Sequence, residues 1–300
     1  MRLSEMLTSN CISHATSDVR TIQSWKSELA AGSGTGCMMW DAAQYLKYSD
    51  ERSRPFFDLL ARVSREKLEL MADLGCGPGN LTRTLTERWP TAQVLGVDNS
   101  PEMLEQARRL AIPGRLEFVQ ADIASWSPDK PADLIVSNAA FHWVPDHGSL
   151  LSRVARKLSS DGILAVQMPY HFQHPAHLAI EEAKADPRWR ESLKGVGLHQ
   201  QSVMPLQWYV ERLHEIGFTV DAWQTTYIHV LSGENPVLEW YKGSALRPLL
   251  KALEPQAQAE FLVELGERLK AAYPPKGGVT LLPFPRLFFV ATRPRVRVKD

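Results

Sequence analysis

Asp73-Leu74-Gly75-Cys76-Gly77-Pro78-Gly79 is the stretch that decides the fold. It begins within the short apolar run Leu70–Leu74, and apolar residues at helical spacing follow it from Leu81 to Trp89. Glycines between a strand and a helix let the backbone turn tightly and approach a ligand. The stretch therefore predicts a strand–loop–helix unit with a ligand site beyond the carboxyl end of the strand.

Short apolar runs alternate with helical patterns through the next ninety residues. These runs occur at 94–97, 116–119, 134–136 and 163–166. The helix after the second run begins at Ser100-Pro101, a capping residue followed by proline at the first helical position. Apolar strands separated by helices are typical of a buried, mostly parallel sheet with helices on both faces. The sequence thus predicts an α/β fold, a three-layer and Rossmann-like sheet.

The pattern changes after Pro169. Two mainly helical stretches, about 171–206 and 232–283, interrupt the sheet pattern, and further strands are predicted at 220–230 and 284–292. We interpret the two stretches as an inserted helical cap on one domain that spans residues 38–300. Residues 1–37 predict an N-terminal appendage that ends in a flexible glycine-rich linker, and the sequence leaves open whether the appendage is ordered.

Composition narrows the class of protein. The 300 residues carry 34 Lys and Arg against 34 Asp and Glu, so no overall basic field favours nucleic acid or a membrane surface. Apolar runs are far shorter than a membrane span. Three scattered cysteines, Cys11, Cys37 and Cys76, give neither a disulfide framework nor a metal site. We expect a cytoplasmic enzyme with a small-molecule substrate and no metal, whose oligomeric state the sequence does not indicate.

The spacing of the glycines discriminates between cofactors. A dinucleotide loop needs its third glycine at position 80, but Asn80 stands there and Gly79 comes one residue early. Pro78 also removes one backbone N–H that a pyrophosphate would use. Because Asp73 opens the loop, we expect a ligand with a positive charge. An NAD-dependent enzyme is therefore the less favoured alternative.

Polar side chains follow each of the first four predicted strands. Asp98 comes 19 residues after Gly79, where a carboxylate accepts hydrogen bonds from ribose hydroxyls. Asp122 comes after the third strand, where its oxygens can accept from an adenine amino group, and Asn138 ends the fourth. Carboxyl ends of parallel strands meet at one edge of the sheet, so these side chains predict a site for a nucleoside cofactor.

These residues resemble the class I S-adenosylmethionine-dependent methyltransferases. The resemblance implies a seven-stranded sheet whose last strand is antiparallel, and it implies that the product is S-adenosylhomocysteine. It assigns the methionine part to the loop, the ribose to Asp98 and the adenine to Asp122 with Ile123. The implied cofactor contacts are Asp73, Gly75, Cys76, Gly77, Asn80, Asp98, Asn99, Asp122, Ile123 and Asn138.

A narrower resemblance runs along the rest of the chain. Met39-Trp40-Asp41, Glu51-Arg52-Ser53-Arg54-Pro55, Leu246-Arg247-Pro248 and Phe284-Pro285-Arg286 resemble the trans-aconitate 2-methyltransferase family. That family implies formation of a monomethyl ester on a carboxylate of trans-aconitate or a similar small polycarboxylate. The resemblance implies an Asp-Asn pair after Pro169, but this chain has Tyr170-His171-Phe172-Gln173 there. This departure leaves the choice of substrate open.

The chemistry suggests which residues meet such a substrate. Arginine pairs carboxylates bidentately, and the matched segments supply Arg52, Arg54, Arg247 and Arg286, of which Arg247 is favoured because it lies in the cap. Aromatic partners are expected from Tyr45, Tyr48, Trp143 and Tyr227.

His142 follows the fourth strand and is predicted to orient the substrate. A carboxylate nucleophile is already ionised at neutral pH and needs no base. A hydroxyl or amine substrate is the main alternative. A hydroxyl nucleophile would need a general base, and His142 is the candidate for that role.

Overall fold

The structure is a computed structural model that describes residues 49–196, 203–243 and 245–294. The predicted appendage, Tyr45 and Tyr48 lie outside the described residues, as does the side chain of Arg52. Among the described residues, no helix has the length and apolar character that crossing a membrane requires.

Seven strands form one sheet. In chain order they are β1 (Leu70–Leu74), β2 (Gln93–Asp98), β3 (Leu116–Gln120), β4 (Ala132–Asn138), β5 (Leu158–Pro169), β6 (Thr219–Leu231) and β7 (Thr280–Thr292). Their spatial order is β3-β2-β1-β4-β5-β7-β6. Strands β1 to β5 pair in parallel, whereas β7 runs antiparallel to both β5 and β6. This arrangement confirms the predicted Rossmann-like sheet of seven strands with an antiparallel last strand.

Helices cover the sheet and build the cap. They are α1 (Ser49–Leu60), α2 (Asn80–Arg88), α3 (Pro101–Ala107), α4 (His147–Ala155), α5 (Pro175–Lys184), α6 (Leu206–Glu215), α7 (Pro236–Lys242), α8 (Arg247–Lys251) and α9 (Pro255–Ala272). The predicted start of α3 is confirmed, because the Ser100 hydroxyl accepts a hydrogen bond from the backbone N–H of Met103 and proline follows at the first position.

The buried apolar residues fall into three clusters. One cluster joins α4 and α6 to the sheet, and a second joins α1, α2 and α3 to it. The third cluster lies among α5, α7, α8 and α9, and Phe261, Leu265 and Leu269 of α9 contribute to it from one helix face. The third cluster gives the cap its own core.

The cap differs from its predicted bounds at one end. The predicted cap includes residues 280–283, but they pair with β6 as the beginning of β7. Pro283 and Pro285 interrupt the apolar pattern there, which is why the sequence indicates a later start.

Candidate active site

A cavity of about 730 Å³ opens at the carboxyl ends of β1, β2 and β4. The strand order reverses between β1 and β4, which is where open α/β sheets bind ligands. We divide the cavity into two halves by their residues. The loop half consists of Asp73, Gly75, Cys76, Gly77, Asn80, Asp98, Asn99, Asp122, Ile123 and Asn138. The cap half consists of His142, Trp143, His171, Phe172, His177, Trp240, Tyr241, Arg247, Phe284 and Arg286.

The glycine loop adopts a conformation that only glycine fits at two positions. Gly75 has φ +82°, and a Cβ there would lie 2.1 Å from the Cβ of Ala140. Gly79 has φ +81°, and its Cβ would lie 2.8 Å from the Phe118 ring. These close approaches let the loop pack against the sheet while its remaining backbone faces the cavity.

Asp98 connects the loop to the start of α3. One carboxylate oxygen accepts a hydrogen bond of 2.9 Å from the backbone N–H of Gly77, and the other accepts one of 2.9 Å from Ser100. A carboxylate has acceptor capacity for further bonds, so the half-buried Asp98 can also receive ligand hydroxyls.

Asp73 is a buried carboxyl at the bottom of the loop half. The Thr82 hydroxyl donates to its Oδ2 at 2.6 Å. Burial raises the pKa of Asp73 to about 7, the Thr82 hydrogen bond opposes this rise, and the nearby Asp98 adds to it. A positive charge in the cavity would favour the ionised form of this carboxyl. The sequence predicts a ligand that carries such a charge.

Three further observations fit a nucleoside cofactor in the loop half. No atom lies within 4 Å of the position that a Cβ on Gly77 would take, so the backbone is open to a ligand there. The Oδ1 atom of Asn138 is buried and has no hydrogen-bond partner among the described residues. Beside it, Ala139 holds a left-handed φ of 53°, a strained conformation of the kind found at functional sites.

Asp122 lies at the exposed side of the loop half. Its Oδ1 accepts a hydrogen bond of 2.7 Å from the backbone N–H of Ala124, which fixes the turn after β3. All ten predicted cofactor residues thus line one cavity, and their contacts to the cofactor stay a prediction.

A buried network holds the turn that carries His142 and Trp143. This turn, Phe141–Trp143, follows β4. His147 Nε2 lies 2.9 Å from the carbonyl oxygen of Phe141, and His147 Nδ1 lies 2.5 Å from the hydroxyl of Tyr209. A carbonyl only accepts, so Nε2 carries the proton and Nδ1 accepts from Tyr209. The Tyr209 hydroxyl accepts in turn from the backbone N–H of Met204.

The two arginines of the cap half differ in burial. Arg286 on β7 is 6% exposed, and its Nη1 donates to Oε1 of the buried Gln167 at 3.3 Å. Its guanidinium carbon lies 4.7 Å from the centre of the Phe284 ring. Arg247, which the sequence favours, is exposed at the start of α8. Arg286 is therefore the buried arginine of the cavity lining, and Arg247 is the exposed one.

Two histidines lie beside Arg286 in the cap half. His171 and His177 are 7% and 1% exposed, and their ring centres are 5.8 Å apart. Burial lowers the pKa of His171 well below its usual range and that of His177 to about 4. Both rings are therefore neutral at pH 7.

Some predictions and the cavity do not coincide. Arg54 and Tyr227 do not line the cavity: Arg54 lies over the Tyr227 ring, and the Tyr227 hydroxyl donates to Asp58. Sequence reasoning missed His177, Trp240 and Tyr241 as cavity residues. No motif marks them, because the cap brings them to the cavity from separate helices. Only the departure at Tyr170-His171-Phe172-Gln173 pointed to His171 and Phe172.

Comparison with known proteins identifies the family. A family model described as a methyltransferase domain matches residues 71–162. Trans-aconitate 2-methyltransferase of Methylobacterium nodulans is 48% identical over 257 residues, which cover 85% of this chain and 99% of that protein. The chain belongs to the trans-aconitate 2-methyltransferase family. The Streptomyces coelicolor protein of the same name is 46% identical, with coverage of 85% and 87%.

Membership of the trans-aconitate 2-methyltransferase family confirms the predicted enzyme class, a methyltransferase that uses S-adenosylmethionine. Solved structures support the fold. A Bacillus halodurans protein with 15% identity has a TM-score of 0.52 over 81% of this chain and 100% of its own. The YcgJ protein of Bacillus subtilis, also 15% identical, has a TM-score of 0.51 over 80% and 97%.

Proposed function

We propose that this chain forms a monomethyl ester on a carboxylate of trans-aconitate or of a closely similar small polycarboxylate. The observation that carries the proposal is the separation of charge in the cavity. Among the described residues that line it, every carboxylate lies in the loop half and both arginines lie in the cap half. One half thus suits a cation and the other suits a polyanion.

The loop half would hold the cofactor. When bound, S-adenosylmethionine supplies a methyl group on a positively charged sulfur. Asp73 would complement that ligand's positive charges, and Asp98 would accept hydrogen bonds from its ribose hydroxyls. Asp122 would receive the adenine amino group, while the orphan Oδ1 of Asn138 gives a ligand donor a place to bind. The exposed backbone at Gly77 accommodates the ligand without steric conflict.

The cap half would hold the substrate. Arg286 offers a planar fork of N–H donors that matches a carboxylate, and Gln167 fixes the orientation of that fork. Arg247 adds a second positive charge at an exposed position, and Trp143 and His142 line the same half. These residues bind and orient the carboxylate, and the apolar rings of Phe172 and Phe284 exclude water from it.

No general base is required in this reaction. A carboxylate oxygen is ionised at neutral pH and carries its own lone pair to the methyl carbon. The residues of this chain therefore contribute alignment and electrostatics, and no proton has to be moved. We also propose that the substrate is a soluble small molecule, that the protein has no nucleic-acid partner, and that it acts in the cytoplasm.

Product analysis tests the function. The purified chain is incubated with S-adenosylmethionine and with trans-aconitate, other tricarboxylates, or a set of small hydroxyl and amine compounds. We expect a product one methylene heavier only with the tricarboxylates, and mild base should release methanol from it. Transfer to a hydroxyl or amine compound with no turnover of any tricarboxylate contradicts the proposal.

The variant His142→Ala separates the two kinds of acceptor. For a carboxylate acceptor we expect a modest loss of kcat and an unchanged pH profile, because His142 only orients the substrate. A loss of about 100-fold or more with a new pH dependence is the behaviour of a missing general base, and it favours the hydroxyl alternative.

A further inference from the structure

His171 and His177 are buried polar groups that the proposed reaction does not use. They line the cavity beside Arg286, on the loop after β5 and on the first turn of α5. Nδ1 of His171 and both ring nitrogens of His177 are buried and have no hydrogen-bond partner among the described residues. Polar atoms in this state cost free energy unless a ligand satisfies them.

The rings around the pair fix its position. The ring centres of His171 and Phe284 are 4.3 Å apart, and those of Phe172 and His177 are 5.2 Å apart. The Arg286 guanidinium sits over the same Phe284 ring. The His171 ring and the Arg286 guanidinium thus both contact the Phe284 ring, the His177 ring centre lies 5.8 Å from that of His171, and the charge of Arg286 acts on His171. We infer from this proximity that the three groups can meet a single anionic group.

The charged and titratable groups that face this pair come from several elements. Arg286 on β7, His142 after β4 and His174 in the same loop act on His171. On α5, Glu181 and Lys184 act on His177, and these two also pair with each other at 3.0 Å. The buried hydroxyl of Tyr241 on α7 faces Arg286 and Tyr273. No carboxylate among the described residues lines this part of the cavity.

We propose that His171 and His177 form, together with Arg286, a subsite for a second carboxylate of the substrate, and that the pair takes up a proton when that carboxylate binds. The inference rests on the proposed function and concerns the same cavity. The proton comes from the buffer and remains on an imidazole nitrogen, and no covalent bond forms or breaks.

The proton uptake follows from the change in the charges that surround the two histidine rings when the substrate binds. In the free protein, burial and the positive Arg286 favour neutral rings. An ionised carboxylate placed against them reverses the local potential and favours the protonated form. The carboxyl groups of a tricarboxylate are very largely ionised at neutral pH, so the ligand itself has few protons to release on binding. The proton uptake therefore reports on the protein.

Calorimetry measures the uptake directly. Trans-aconitate is titrated into the protein with saturating S-adenosylhomocysteine at pH 7, in buffers that differ in ionisation enthalpy. We expect uptake of about 0.5 to 1 proton per bound tricarboxylate from the linkage between protonation and binding. The double variant His171→Gln with His177→Gln should bind at least tenfold more weakly and take up almost no proton. His214→Gln is the control, since His214 lies on α6 and does not line the cavity.

The outcomes are distinguishable. Tricarboxylate binding without proton uptake, or uptake that persists in the double variant, overturns the inference and leaves the proposed function standing. If no tricarboxylate binds, both fail. S-adenosylhomocysteine binding shows whether the double variant is folded. If the double variant is not folded, the test is made on the wild-type complex. Ring nitrogen chemical shifts of His171 and His177 that match the neutral imidazole then overturn the inference.

Discussion

Replacing Asp73 by asparagine should change how stability depends on pH, and it should weaken cofactor binding. Asp73 is 3% exposed, and burial raises its pKa from 3.8 to about 7. Asparagine has nearly the same shape, and its amide oxygen can still accept the hydrogen bond from Thr82. The variant therefore removes the ionisable proton and leaves the packing in place.

The sign of the effect follows from linkage. Between pH 3.8 and 7 the folded protein holds a proton on Asp73 that the unfolded chain has lost, so the wild type loses stability as pH rises through this interval. The Asn variant has no ionisable proton at this position and does not lose this stability as pH rises. The free energy of unfolding of the variant minus that of the wild type should grow by roughly 3 to 4 kcal/mol from pH 4 to pH 8, since a tenfold change in proton affinity is worth about 1.4 kcal/mol. Any constant effect of the amide cancels in this difference.

Urea unfolding of both proteins at pH 4.5, 6, 7 and 8 measures the difference. Calorimetry with S-adenosylmethionine at pH 8 measures the second expectation, a loss of affinity of tenfold or more, because the variant lacks the negative charge. A difference in stability that stays flat with pH refutes the raised pKa. Unchanged affinity refutes the role of Asp73 in binding a cation.

Other positions of the cavity give further predictions. Gly75→Ala should destabilise the protein by about 2 to 5 kcal/mol in urea unfolding, because the new Cβ would lie 2.1 Å from the Cβ of Ala140. Gly77→Ala should cost only about 1 kcal/mol, because only its positive φ opposes the substitution. Equal losses of stability would contradict this prediction. Asp98→Ala should weaken cofactor affinity by roughly 1.5 to 3 kcal/mol in calorimetry, and unchanged affinity would remove it from the site. Arg286→Lys keeps the charge but loses the fork, so KM for the tricarboxylate should rise about tenfold with little change in kcat; an unchanged KM would exclude a bidentate contact.

The parallel part of the fold could be predicted from the sequence because its signals are local. The apolar runs of β1, β4 and β5 are largely buried, and β3 at the edge of the sheet is buried on one face. A loop glycine or a polar residue marks where β1, β2 and β4 end. Asp73, Asp98 and Asn138 lie at or next to strand ends, so knowing the strands places them at one edge of the sheet. This is why the whole predicted cofactor set lines the cavity.

The cap half could not be predicted in the same way. His177 lies on α5, Trp240 lies on α7 and Arg286 lies on β7, and only packing of the cap core brings them together. The sequence favoured Arg247 over Arg286 because Arg247 lies in the cap. Burial distinguishes the two, and it depends on how the loop after β5 packs against β7. The network of His147 and Tyr209 was missed because both residues have ordinary helical surroundings in the sequence.

The central claim is that cofactor and polycarboxylate occupy the two halves of one cavity that carry opposite charge. Steady-state kinetics of the wild type, Asp73→Asn and Arg286→Gln, with each substrate varied in turn, tests it most directly. The account predicts that Asp73→Asn raises KM for S-adenosylmethionine and leaves KM for trans-aconitate unchanged, while Arg286→Gln does the reverse. The claim is contradicted if the two effects are exchanged, or if either variant changes both constants equally.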